Sequence, residues 1–248
     1  MKILLWAERQ KLRKSKIIRV AAFAVVLVAV IVYAEGQLVF YGRRYIDGAG
    51  WYMTAVQSLA TFFVLPAVTA LMGSYMICRE EQEDVLKSLK LIPVSEIKMT
   101  AAKLIWTLVC SVSVYLILFL ITLAVEAVIH AEELAAGMVI GYLVMYLLNG
   151  VGVFLAVSWI IAMVALIKKG YWIALVFAEI YSFAGLLLGS FGSLRTLYPM
   201  LAVFQVSGYY EADMPHRAVS FAVLLICGGL SAVILRRLGN DGIPHSDY

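Results

Sequence analysis

Six apolar stretches, separated by short polar breaks, occupy residues 17–34, 54–78, 100–128, 135–167, 171–191 and 218–235 of the 248-residue chain. Each reaches or approaches the roughly 20 apolar residues that a helix needs to cross about 30 Å of hydrocarbon. In lipid a backbone amide must find its partner within its own segment, so such stretches are helices. The pattern predicts an all-α integral membrane protein: six transmembrane helices over 17–235, preceded by a cytoplasmic segment 1–16 and followed by a cytoplasmic tail 236–248.

The polar breaks are informative too. Residues 1–16 begin apolar and end basic, which predicts a helix lying at the membrane interface with Trp6 at headgroup depth and its Lys and Arg facing anionic lipid. In the break between the second and third stretches, Val85, Leu86, Leu89 and Ile92 recur at helical spacing and form one apolar stripe. Pro93 ends that helix, and Ser95 is a good N-cap for the third stretch, with Glu96 in its first turn. A short amphipathic helix followed by a sharp turn suits a surface that docks a cytoplasmic partner. In the first outer loop, Tyr41, Tyr45, Trp51 and Tyr52 fit an interfacial aromatic belt. The run at 197–204 is too short to span and too apolar for a free loop, so it is expected to dip into the outer leaflet and return.

Composition agrees: 63% of residues are hydrophobic and the mean hydropathy is +0.93, well beyond a soluble domain. The net charge of +4 is no nucleic-acid signature, because the basic residues sit at membrane edges. With the N-terminus inside, all the Lys and Arg except Arg43, Arg44, Arg195 and Arg217 fall on the cytoplasmic side. That bias places both termini in the cytoplasm. Cys78, Cys110 and Cys227 read as small apolar fillers, and His130 and His216 as ordinary outer-loop residues without a metal.

Within the spans, Asn149-Gly150-Val151-Gly152 lies near the middle of a long stretch and predicts a kink or local unwinding. The spacings Gly137-x-x-x-Gly141 and Gly185-x-x-x-Gly189 allow close helix approach. Glu179 is a carboxylate near the centre of a span, where a charge costs about 2.5–3.5 kcal/mol on insertion scales. Two roles stay open for it: a structural hydrogen bond to Ser182, Asn149 or a backbone carbonyl, or, with Asn149, a polar point on a translocation path or at a subunit interface. Glu126, at an outer helix end, is expected to be solvated at the interface.

No G-x-x-x-x-G-K-[ST] phosphate loop and no H-E-x-x-H occur, and no His lies inside a span. The chain is therefore not expected to hydrolyse ATP or to be an intramembrane protease. A non-transporting membrane scaffold or sensor partner is the alternative to a transporter.

Three segments resemble the membrane subunit of a type-2 ABC exporter. Trp6-Ala7-Glu8-Arg9-Gln10-Lys11-Leu12-Arg13 resembles the interfacial helix of such permeases. The stretch from Glu83 to Lys103, with Leu86-Lys87-Ser88-Leu89 and Leu91-x-Pro93-Val94-Ser95, resembles the loop that they press against their ATPase. The Pro199-containing run resembles their outer re-entrant hairpin. In size and texture the chain is similar to permeases of lantibiotic and bacitracin self-protection. The resemblance implies a plasma-membrane permease whose partners are ABC ATPase subunits, a second permease (identical or paralogous) and membrane lipid. ATP and Mg would be held by the ATPase, with no cofactor in this chain. Glu83, Val85, Leu86, Leu89, Ile92 and Pro93 would couple it to the ATPase, and the substrate would be amphipathic: an antimicrobial peptide or a lipid-like drug.

Overall fold

The computed structural model describes residues 1–13, 15–82, 96–167, 170–189 and 192–241. The expected coupling residues Glu83, Val85, Leu86, Leu89, Ile92 and Pro93 lie outside the described residues. Helix α1 (Lys2–Arg13) leads into α2 (Ile17–Gly36). A two-residue ribbon follows, β1 (Val39–Phe40) antiparallel to β2 (Arg43–Arg44). Its turn residues, Tyr41 at φ 49° and Gly42 at φ 80°, both have the positive φ that a type I′ hairpin turn requires. Then come α3 (Trp51–Leu59), a π-turn (Ala60–Val64), α4 (Leu65–Gln82), α5 (Glu96–Ile129), α6 (Ala136–Ile167), α7 (Trp172–Leu188), α8 (Pro199–Ser207) and α9 (Met214–Asp241).

Among the described residues, five helical stretches are long and apolar enough to cross a membrane: α2, the α3–α4 composite, α5, α6 and α9. Helix α7 has 17 residues, about 25 Å at 1.5 Å per residue. Helix α6 is the central pillar. In its most apolar stretch 67% of residues are buried, against 28% in those of α5 and α9. Helices α4, α5, α8 and α9 pack around it. Tyr52, Tyr115, Tyr146, Met53, Leu65 and Ile160 are among the large side chains fully buried in this core.

The stretch expected to kink or unwind stays wound. Helix α6 runs unbroken through Asn149-Gly150-Val151-Gly152. Its glycines serve close packing: a Cβ at Gly150 would lie 2.9 Å from Val112 Cα on α5, and one at Gly152 would lie 3.0 Å from Val203 on α8. The second glycine pair behaves as its spacing suggests, with Gly185 against Tyr198 and Met200 and Gly189 against Leu201. Around Gly137 and Gly141, by contrast, the space is open. Gly150→Ala is thus expected to push α5 from α6 and cost about 1–3 kcal/mol. Gly137→Ala should gain the roughly 1 kcal/mol that alanine holds over glycine in a helix. Thermal unfolding of the two variants in detergent checks the contrast.

The real irregularity is in the second span. Pro66 has no N–H to give the carbonyl of Phe62, four residues back. The helix widens there: Leu65 N–H donates to Ala60 O, five residues back, the signature of a π-turn. The freed Phe62 carbonyl accepts a hydrogen bond from the Ser182 hydroxyl of α7. The defect in α3–α4 is therefore also the seat of α7.

The apolar run near residue 200 forms α8, whose Met200 to Gln205 and Ser207 are all buried. It ends at Gly208, with φ 87°, where the chain turns back. Val203 meets α6 at Gly152, 16 residues from the start of α6, or about 24 Å along it. Phe204 stacks on Phe62 beside the π-turn, with ring centroids 4.3 Å apart. So α8 lies deep within the bundle and caps no end of it.

Helix α1 docks through Leu12, which is buried, and through Trp106 of α5, whose Nε1 donates to Leu5 O at 2.7 Å. Its Ile3 and Trp6 point outward and are exposed. Of the aromatics expected in the outer belt, Tyr41 and Tyr45 are exposed, and Tyr45 stacks on Trp51 at 5.6 Å. Tyr52 departs from that expectation. It is buried, and its hydroxyl donates to Ala29 O at 2.9 Å.

Candidate functional site

Several buried polar side chains lie in the seam where α3 and α4 meet α5 and α6. Met53, Gln57 and Thr61 follow one another at four-residue steps, so they share one face of the second span. The Met53 carbonyl accepts from the Tyr146 hydroxyl at 2.7 Å, and Thr61 Oγ1 accepts from the Tyr115 hydroxyl at 3.0 Å. Nearby, the Ser111 hydroxyl of α5 donates to the Gly150 carbonyl of α6 at 2.7 Å, and Thr69 Oγ1 lies 3.4 Å from Ser111 Oγ. Between these satisfied pairs stand two that are not. Gln57 and Asn149 are completely buried, and both side-chain atoms of each amide have no hydrogen-bond partner among the described residues. An unsatisfied buried polar group costs about 1–3 kcal/mol, so four such atoms mark a place that this packing leaves unsettled.

One end of the seam is closed by a carboxylate. Glu126, at the end of α5, is not solvated as its sequence position suggests. It is fully buried, and Oε1 accepts the Gly50 N–H at 2.5 Å. Gly50 is the N-cap of α3, with φ 79°. The first amides of a helix have no partner inside it, and the carboxylate oxygen satisfies one of them. His130 Nδ1 lies 3.0 Å from Glu126 Oε1, near enough for an ion pair but without hydrogen-bond alignment. Its Nε2 lies 3.3 Å from Asp47 O, which can only accept, so Nε2 is the donor. Asp47 is itself fixed by Arg44, whose backbone N–H and guanidinium hold its carboxyl below the usual carboxylate range. Gly50 O also accepts from the hydroxyls of Thr54 at 2.9 Å and Tyr142 at 3.1 Å. The outer loop, α5 and α6 are thus latched at one residue.

At the other end, a cleft of about 470 Å³ opens beside Lys16, Ile17, Leu71, Tyr75, Tyr171 and Trp172, at the start of α2, the latter half of α4 and the start of α7. Its walls are mostly apolar.

Glu179 is half-buried on α7, with no hydrogen bond to Ser182 or Asn149 among the described residues. Ser182 serves the Phe62 carbonyl instead. Sequence reasoning passed over Gln57 and Pro66, read Glu126 as solvated at the interface, and weighed Ser182 only as a partner for Glu179. Only Pro66 carried a signal of its own, as a proline inside a spanning helix.

The arrangement suits packing change more than bond chemistry. The features on which such a change could act are a helix with a built-in defect, a seam of polar pairs with two unsatisfied amides, and a buried short helix. Residues 4–185 match the ABC-2 family transporter protein family. Over 166 residues the chain is 30% identical to the bacitracin transport permease protein BCRB of Bacillus licheniformis, covering 65% of this chain and 78% of that protein. In this family the membrane subunit is no enzyme, and ATP hydrolysis lies in separate ATPase subunits. The chain belongs to the ABC-2 transporter family and is a multi-pass membrane permease subunit of an ABC transporter.

Proposed function

We propose that this permease exports an amphipathic substrate, an antimicrobial peptide or a lipid-like drug, from the plasma membrane of its cell. The observation that carries the reading is the polar seam with its two unpartnered amides inside an otherwise apolar bundle. A path with that lining has little for a polar solute, but it offers an amphipathic one apolar surface and a few polar contacts. The similarity to a bacitracin permease supports the substrate class and a role in antibiotic or bacteriocin immunity.

In this reading two permeases, identical or paralogous, sit on two ATPase subunits. The chain crosses six times, with α7 as the fifth crossing, and α8 is a re-entrant helix of the outer half. Helix α1 lies at the cytoplasmic interface, where Ile3 and Trp6 enter lipid. The segment that holds Glu83, Val85, Leu86, Leu89, Ile92 and Pro93 lies in the chain between α4 and α5. Closure of the ATPases on ATP pushes there and moves α4 and α5 against α6. The π-turn at Ala60–Val64 is the joint that lets α4 move while α3 stays latched through Gly50. ATP drives the change because it binds one arrangement better than the other. Gln57 and Asn149 find partners in the second arrangement or on the substrate.

Topology gives a first test. Cysteines placed at Ala49 and Ala212 should label from outside intact cells, and one at Ser246 should not. Labelling of Ser246 from outside would put the segment 83–95 on the wrong side for an ATPase and end this reading.

A further inference from the structure

We infer that a cavity between α8 and the start of α9 binds the headgroup of a zwitterionic phospholipid. The cavity measures about 540 Å³ and is lined by Arg195 and Thr196 before α8, Gln205 within it, Tyr210, Glu211 and Asp213 after it, and Arg217 in α9. Its floor is rich in unused donors. Gln205 is 6% exposed, and its carbonyl oxygen is already taken by the Ser220 hydroxyl at 2.6 Å. The amide hydrogens remain. Arg217 Nε is buried and has no hydrogen-bond partner among the described residues. Arg195 is held in place by two contacts: its Nε donates to Gly189 O at 2.8 Å, and its guanidinium lies 5.6 Å from the centre of the Tyr210 ring.

Two guanidinium groups and a buried amide facing one space suit an oxyanion with several oxygens, and a phosphate diester fits that demand. The carboxylates of Glu211 and Asp213, both exposed at the same cavity, forbid a plain anion and favour a cation. A ligand that carries a phosphate and an ammonium a few bonds apart satisfies both sets at once. Leu197 and Met214, next in sequence to Thr196 and Asp213, are 59% and 80% exposed. They offer apolar surface to acyl chains that leave the cavity. The inference does not depend on the exporter reading, because binding is read on the full-length chain without transport.

The test is titration of the purified full-length chain in detergent with dihexanoyl phosphatidylethanolamine, dihexanoyl phosphatidylglycerol and inorganic phosphate, followed by Tyr and Trp fluorescence and calorimetry. The ethanolamine lipid should bind most tightly, which separates a lipid headgroup from free phosphate. Arg217→Gln and Arg195→Gln should each weaken it about tenfold or more, the scale of one lost charge-assisted hydrogen bond. Neutralising the rim with Glu211→Gln and Asp213→Asn should weaken the ethanolamine lipid yet strengthen the glycerol lipid. General damage to the fold would lower both. The inference is overturned if the wild type binds none of the probes saturably, if both arginine variants bind as the wild type does, or if the glycerol lipid or free phosphate binds as tightly as the ethanolamine lipid.

Discussion

Replacing Glu126 by alanine is expected to destabilise the fold by about 1–3 kcal/mol, the cost of leaving a buried amide without its acceptor. The carboxylate is fully buried and takes the Gly50 N–H at 2.5 Å. Its loss strands that amide at the start of α3 and leaves His130 facing an empty volume. Gly50 has no cheap substitute: its φ is 79°, and a Cβ there would meet Met138 Cε at 2.4 Å. Glu126→Gln should cost less, because an amide oxygen can still accept from Gly50. Thermal unfolding in detergent, with proteolysis of the outer loop in parallel, checks both. An alanine variant that melts with the wild type would show that α3 is held by its packing alone.

The second large effect is expected at Leu89. In the proposed coupling helix, Leu89 lies on the apolar stripe with Val85, Leu86 and Ile92. Leu89→Glu would place a carboxylate in an apolar contact with the ATPase, which costs several kcal/mol unless it is protonated or paired. A loss on that scale exceeds a hundredfold in affinity. Insertion into the membrane should survive, since the change lies outside every apolar stretch. Lys87→Ala and Lys90→Ala, off the stripe, should matter little, because exposed charges are worth about 0–1 kcal/mol. The readouts are ATPase co-purification and substrate export. Should the lysine variants abolish both while Leu89→Glu leaves them intact, the face is wrongly assigned.

The membrane class and most of the apolar segments were legible because each is a local pattern that a window of twenty residues contains. The buried run at Pro199–Ser207 was legible for the same reason: its composition suits neither a span nor a loop. Partners that come from far along the chain were not legible. Glu126 sits where interfacial carboxylates often sit, and nothing near it in sequence announces Gly50, 76 residues away. Gly150 and its neighbours were read as a place where the helix kinks or unwinds, whereas the helix stays wound there and the Val112 backbone of α5 lies against the glycine. The irregular turn lies instead before Pro66, inside a run apolar enough to look uniform, and the Ser182 hydroxyl that takes up the freed carbonyl belongs to another helix. Asn149 was picked out as a polar residue in a span; that Gln57 shares its lack of partners follows only from where the packing of the bundle places α3.

The measurement that bears most directly on the account is purification of the tagged chain in mild detergent from cells that carry its natural neighbours, followed by an assay of ATP hydrolysis. The account predicts that an ABC ATPase co-purifies, that the complex hydrolyses ATP, and that Leu89→Glu yields the permease without either. A wild-type chain that purifies without an ATPase, from cells in which it confers its function, would contradict it.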